Sequence, residues 1–414
     1  MRKITTLNFV RPPQSRLIVE LLCSSYDPAM EKKGSLFKLP FSYALAGILA
    51  FVALDLANHL LIQPDLYGTA NKSWIWWAVK NYREKSKTPD TVLMGSSLII
   101  ALQNDGDATF YHENLDAVKH YKSRYLEEKA KSYLHKTIST ASFAIGGQTA
   151  SDAYAIFATM LSGKSAPKTL IWGVAPRDFV DRTYPHPEET ETVKYLSQIS
   201  QNSELIKSKN RTFWQKVEDM LNRTSSIYAR RGEYAGKEKA WLAALLAKVS
   251  PSYAVGTKVR TPDWLLGEMN AAYGEDNVEG EWICRPFGEK LQPHLDNSNE
   301  YKQRYNPFLE DLYLNQIAYG NKLLQIAQRQ KTKVVLINMP LRKSNLALLP
   351  AGIYTRYLSD IKTAAKANDA LFIDMNDPSL FTSADFWDPV HLNGVGSIRF
   401  LNYLCENLQR ANLL

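Results

Sequence analysis

Short apolar runs that stop at a sharp turn recur along this chain and restrict what it can fold into. Residues 91–94, Thr-Val-Leu-Met, follow the breaker Pro89-Asp90 and end at Gly95. A partly β-branched run bounded in this way reads as a buried strand. Similar runs lie at 143–145, 169–174, 334–337 and 371–374, with helical spacing over 151–161, over 309–330 and from Gly394 onward. Strands interleaved with helices predict an α/β fold. In an open α/β sheet the carboxyl ends of the strands border the ligand crevice, because the loops there part and the next helix presents free N–H groups. Reactive residues directly after such a run are therefore the first candidates for function.

After the first run comes Gly95-Ser96-Ser97-Leu98. A hydroxyl at this turn, Ser97, is exposed beside N–H groups that can hold a developing oxyanion, although the same small residues also suit a helix cap. Serine needs a base with a pKa near 7 to become a nucleophile. The far end of the chain offers one in Asp388-Pro389-Val390-His391. The three-residue offset, stiffened by Pro389, lets both side chains point into one site, where a carboxylate on the far ring nitrogen fixes the imidazole tautomer. Asp388 can also cap the amphipathic helix that begins near Gly394, and the two uses are compatible. Asp374, at a strand end, is less suited to orient His391 than Asp388 is.

The pairing of Gly-x-Ser-Leu after the first strand with Asp-x-x-His before the last helix resembles the SGNH, or GDSL-like, hydrolase superfamily. The resemblance spans roughly residues 88–180 and 330–410. It implies a three-layer sandwich around a central, mainly parallel sheet, with Ser97 as nucleophile, His391 as base and Asp388 as its orienting acid. Ser96 stands where the family's usual aspartate would be, and Leu392-Asn393 often follow the histidine there. The Gly-Ser-Ser form is similar to an exported branch that includes alginate O-acetyltransferase-like and teichoic-acid D-alanyl transfer proteins. Phe143-Ala144-Ile145-Gly146-Gly147-Gln148-Thr149 resembles the block whose glycine lines the oxyanion hole, with Gly147 the better match. The family's third block carries an asparagine after a strand, whereas here Thr169–Val174 leads into Ala175-Pro176-Arg177-Asp178. Arg177 either replaces that asparagine as a donor to the oxyanion or pairs with Asp178 and fixes the loop. This departure bears on the oxyanion hole more than on the fold.

Location is read from residues 41–62, a largely apolar stretch containing Asp55, Asn58 and His59. Twenty-two helical residues rise about 33 Å, enough for a hydrocarbon core of about 30 Å. A buried amphipathic helix is the alternative. Residues 1–40 hold seven Lys/Arg against three acids, which predicts a cytoplasmic N-terminus, a single uncleaved transmembrane anchor and an extracytoplasmic (periplasmic or cell-surface) catalytic domain. Trp74, Trp76 and Trp77 suit either the membrane interface or a core. The net charge of +8 is half accounted for by the +4 of residues 1–40, so no nucleic-acid groove is expected. Three scattered cysteines and seven scattered histidines suggest neither a disulfide framework nor a metal site, and no cofactor is expected.

The expected organisation is a basic cytoplasmic segment at 1–40, the anchor at 41–62 and a juxtamembrane linker or helix at 63–87. The α/β core is assigned to 88–180 and 309–414, with a largely helical insertion at 181–308. Asn338 and Arg342, after the strand at 334–337, are candidate substrate contacts. The resemblance implies a membrane-anchored serine acyltransferase or esterase acting on O-acyl groups of an envelope polysaccharide, with an acyl donor and acceptor and a membrane acyl-transfer partner. A hydrolase of small esters or lipids shares every catalytic residue, and a catalytically inactive scaffold in a membrane complex is the third reading.

Overall fold

The computed structural model describes residues 38–61, 73–200, 213–229, 283–288, 296–411 and 413. The basic segment 1–40 lies almost wholly outside the described residues, as do 63–72 of the linker and much of the 181–308 region. In chain order the main elements are α1 (Lys38–Leu61), α2 (Trp74–Arg83), β1 (Thr91–Gly95), α3 (Ser97–Tyr111), β2 (Leu115–Asp116), α4 (Arg124–Tyr133) and β3 (Thr140–Ala144). They continue with α5 (Ala150–Met160), β4 (Thr169–Val174), α6 (Arg177–Val180), α7 (Glu191–Ile199), α8 (Phe213–Thr224), α9 (Ser226–Ala229), β5 (Ile283–Cys284) and α10 (Ser298–Tyr305). The last are α11 (Glu310–Arg329), β6 (Lys333–Asn338), α12 (Lys343–Leu346), α13 (Ile353–Ala367), β7 (Leu371–Asp374) and α14 (Gly394–Arg410). The described residues divide into two compact units, α1 with Ser225–Ile227 and the remainder.

The larger unit is built on a five-stranded sheet in the order β3-β1-β4-β6-β7, parallel throughout. Parallel strands covered on both faces carry continuous apolar runs, and every residue of β1, β3 and β4 is buried. Neighbouring residues of a strand face opposite sides. On β4, Trp172 lies against Gly320 of α11, while Gly173 lies against Ile99 of α3 and Met339. Helices therefore cover both faces, an arrangement compatible with three layers. With α3 pack α4 and α14, and with α11 pack α5 and α13.

The amphipathic spacing explains the outer helices. On α11 the buried positions are Leu312, Tyr313, Gln316, Gly320, Leu323, Leu324 and Ala327, and on α14 they include Phe400, Leu401, Leu404, Cys405 and Leu408. These follow the three-and-four repeat of one helical face. Each large apolar side chain so buried contributes about 1.5–3 kcal/mol. Trp76 is buried and Trp74 and Trp77 are partly buried against the same core, so these aromatics pack inside the larger unit.

The strand order places a switch point beside β1, since the chain moves from β1 to β3 on one side and then to β4 on the other. Ligands bind outside the carboxyl ends of the strands at such a point. Close approach of β1 and β4 there depends on Gly95. Its φ is +153°, and a methyl group on it would lie 2.6 Å from the Gly173 carbonyl oxygen and 2.6 Å from Ile99.

In the smaller unit, α1 exposes Tyr43, Leu45, Ile48, Leu49, Phe51, Val52, Leu54 and Leu56. Two of its polar residues, Asp55 and Asn58, are hydrogen-bonded. Asp55 Oδ1 accepts from the Ile227 N–H at 2.7 Å, from Ser225 Oγ at 3.0 Å and from Ser226 Oγ at 3.1 Å. Asn58 Nδ2 donates to Ser226 Oγ at 2.8 Å. Among the described residues no helix is long and apolar enough to cross a membrane.

Gly95→Ala should lower stability by about 1–3 kcal/mol, because backbone and a packed side chain meet the new methyl and the backbone angle disfavours it. A fall in the thermal unfolding midpoint checks this; an unchanged midpoint contradicts the close approach.

Candidate active site

Ser97 is the first residue of α3, directly past the carboxyl end of β1. Ser96 precedes it as N-cap in an extended conformation and makes no side-chain cap hydrogen bond. The opening N–H groups of a helix have no partner within it, and the helix dipole makes that end favourable for negative charge.

His391 comes from the opposite end of the chain. A hairpin-like loop carries it, closed by the Phe386–Leu392 bridge and by the Trp387 N–H donating to the His391 carbonyl at 2.8 Å. Below the loop α14 begins, with Asn393 Oδ1 accepting from the N–H groups of Val395 and Gly396. Asn393, rather than Asp388, is the cap. Helix α14 packs closely on α3: a methyl group on Gly106 would touch Leu401 at 3.3 Å and Ser397 at 3.5 Å, and one on Gly394 would overlap Thr109. That contact brings together two residues 294 positions apart, with Ser97 Oγ 2.8 Å from His391 Nε2.

Asp388 fixes the imidazole from behind. Its Oδ2 lies 2.6 Å from His391 Nδ1, while its Oδ1 accepts from the N–H groups of Val390 and His391, each at 2.7 Å. One oxygen thus holds the loop and the other holds the ring. Burial works to raise the Asp388 pKa, but the adjacent His391 and these hydrogen bonds prevail and hold it below the usual carboxylate range. For His391 burial works downward, and the Asp388 charge and hydrogen bond outweigh it, so its pKa stands above the ordinary value. The Glu300 and Asp105 carboxylates act in the same upward direction.

The register β1–β3 pairs Gly95 with Ala144, so Ser97 and the Gly146-Gly147 turn follow strand ends that lie level in adjacent strands. Gly147 has a φ of +74°. Arg177 secures this turn: its Nη2 donates to the Gln148 carbonyl at 2.8 Å. The same nitrogen meets Asp178 Oδ1 at 2.7 Å, and Nη1 meets Asp181 Oδ2 at 3.3 Å. Of the two roles open to Arg177, pairing is the one the geometry supplies, and Asp181 joins Asp178 in it. Asp181 also pairs with Arg304 of α10, which in turn meets Glu300 at 2.6 Å. Burial works to raise the Asp181 pKa, and the two guanidinium groups overcome it and hold it low.

Asn338 does not face a substrate cleft. It is fully buried, and its amide bonds to Tyr354 at 3.0 Å, Asp374 at 2.8 Å and Tyr357 at 3.1 Å. Burial between strand ends leaves it a structural role, with Asp374 as its partner. Arg342 contributes through its backbone, donating its N–H to the Pro389 carbonyl at 3.0 Å and tethering the His391 loop. Arg304 and Glu300 lie within the stretch read as an insertion; their four-residue spacing was visible, but the need of Asp181 for a distant cation was not.

Compared with known proteins, the chain matches no family model and no curated sequence.

Two outcomes follow from this geometry. Covalent labelling of Ser97 by a fluorophosphonate requires neutral His391, so its rate should rise with pH through a midpoint above about 6.5; Asp388→Asn should slow labelling and move the midpoint downward. A pH-independent rate in both proteins contradicts the coupling. Arg177→Ala should cost about 3–5 kcal/mol of stability by leaving buried carboxylates unpaired, seen as a lowered unfolding midpoint.

Proposed function

We propose that this protein is a serine-dependent acyltransferase or esterase of the SGNH kind, forming an acyl-enzyme on Ser97. The observation that carries the reading is the unbroken relay from Ser97 Oγ through His391 to Asp388, with contacts of 2.8 and 2.6 Å. His391 Nε2 takes the Ser97 proton as Oγ attacks an ester carbonyl, and Asp388 stabilises the imidazolium that forms. The N–H of Ser97, at the start of α3, and that of Gly147 receive the developing oxyanion. His391 then returns its proton to the leaving oxygen. Water or an acceptor hydroxyl, deprotonated by the same imidazole, resolves the acyl-enzyme, giving hydrolysis or transfer.

The acyl groups are proposed to be O-acyl substituents of an envelope or extracellular polysaccharide, a reading that rests on the likeness of Gly95-Ser96-Ser97 to exported acyltransferases. Attachment to a membrane is proposed through α1, supported by its exposed apolar side chains and the basic segment before it. The N-terminus is then cytoplasmic and the larger unit extracytoplasmic.

Ser97→Ala and His391→Ala should each reduce turnover of an activated acetyl ester about 10⁴–10⁶-fold, and the double variant should lose little more, since the pair acts as a unit. Steady-state kinetics on folded proteins check this. Additive losses would count against a shared proton transfer, and unaltered turnover in Ser97→Ala would exclude the nucleophile.

A further inference from the structure

Parallel strands gather the segments that precede them at one end of the sheet, and in the larger unit that end is basic. Thr91 pairs with Thr140 and with Thr169, and Thr169 with Lys333, so four of the five strands start level. The segments leading into the five strands, 83–90, 134–139, 162–168, 329–333 and 366–370, hold ten Lys/Arg against three Asp/Glu, a net +7. The whole chain carries +8, of which residues 1–40 supply +4, so everything else nets −3. Charge is therefore segregated to this end.

Hydrogen bonds knit these segments into one surface. The Lys333 N–H donates to the Lys168 carbonyl at 2.9 Å and the Thr169 N–H to the Asp90 carbonyl at 3.0 Å. Gln330 Oε1 accepts from the Gly163 N–H at 3.3 Å, and Tyr82 Oη donates to the Ser165 carbonyl at 2.8 Å. Lys87, Lys164, Lys331 and Lys333 are exposed there, and the Lys168 side chain is 82% exposed although it meets Asp90 at 2.6 Å. Basic residues in the last turn of a helix answer its dipole, which accounts for Arg83 of α2, Arg329 of α11 and Lys366 of α13. It does not account for the five lysines, which stand outside the α-helices. Five strands about 4.8 Å apart make this end about 19 Å wide, and the lysines spread over it from β1 through β4 to β6. A plane of cations matches a plane of anions, whereas a single polymer strand would meet only a line of them.

We propose that the amino-terminal end of the sheet docks on the anionic headgroups of a lipid bilayer, with Lys87, Lys164, Lys168, Lys331 and Lys333 as its contacts. This assignment stands on the larger unit alone and uses no position of α1. Ser97 and the Gly147 turn follow the opposite ends of the strands, and the six residues of β4 alone rise about 20 Å between the two edges. The candidate site is thereby held away from the lipid, and an acyl acceptor reaches it from the aqueous side, as a polysaccharide can. That consequence rests on the acyl-transfer reading above; the docking surface does not.

The full chain is mixed with nanodiscs of phosphatidylcholine alone or with equimolar phosphatidylglycerol, and lysine acylation by an N-hydroxysuccinimide ester is followed by peptide mass spectrometry. At low salt Lys87, Lys164, Lys331 and Lys333 should react at least about fivefold more slowly on the anionic discs. The difference should vanish at about 1 M salt, where screening acts within about 3 Å. Lys343, exposed past the carboxyl end of β6, should react equally on both. Equal reactivity of the four lysines on the two kinds of disc overturns the surface. So does equal protection of them by soluble polygalacturonate in neutral detergent, which would make the occupant a polymer. Lys87→Gln, Lys164→Gln, Lys331→Gln and Lys333→Gln, made together, should leave the unfolding midpoint unchanged and strip Lys168 of its protection; protection that persists overturns the assignment. Flotation judges the anchor separately. A chain that floats with both kinds of disc without lysine protection loses the surface alone, one that floats only with anionic discs and is released by salt loses the anchoring of α1 alone, and one that floats with neither loses both. Turnover enters none of these readouts, so failure of the serine mechanism would leave them intact.

Discussion

The close packing of α14 against α3 is the constraint on which the site depends. Ser97 opens one helix and His391 stands just before the other, so the approach of the two helices sets the separation of hydroxyl and imidazole. Gly106 and Gly394 permit that approach by leaving room for Leu401, Ser397 and Thr109. The sheet supplies the second coordinate, because Gly95 lets β1 run close to β4 and delivers Ser97 at the switch point. A reactive geometry linking the two ends of the sequence thus follows from backbone packing first and from side-chain hydrogen bonds second.

Electrostatics then divide the buried charges into two groups. Around His391, carboxylates from Asp388, Glu300 and Asp105 all favour the imidazolium, the species that the proposed transfer of the Ser97 proton would form. Beneath the Gly147 turn, Arg177 and Arg304 neutralise Asp178, Asp181 and Glu300 in a chain of pairs. Breaking one member leaves a charge in a low-dielectric interior, so this chain holds the turn in place. Glu300 takes part in both groups, which couples α10 to the site although α10 supplies none of the three relay residues.

Strand ends and the relay residues were legible in the sequence because their signals are local. Apolar runs at Thr169–Val174 and Leu371–Asp374 coincide with β4 and β7, and Asp388 and His391 share one tight loop. What depended on distant partners was not legible. Asn338 at a strand end looked available to a substrate, yet Tyr354 and Tyr357 of α13 and Asp374 of β7 enclose it. Arg177 could be read as a free donor or as a pair with its neighbour; Asp181 and Arg304 are what tip the balance. Asp55 and Asn58 looked costly in an apolar helix until residues 225–227 supplied their hydrogen bonds.

The most direct measurement is the mass of the protein quenched in acid during turnover of p-nitrophenyl acetate, followed by peptide mapping. A single acetyl group on the peptide containing Ser97, absent from His391→Ala, is the predicted result. Acetylation elsewhere, or labelling of Ser97 at equal rate without His391, would contradict an acyl-enzyme made by this relay.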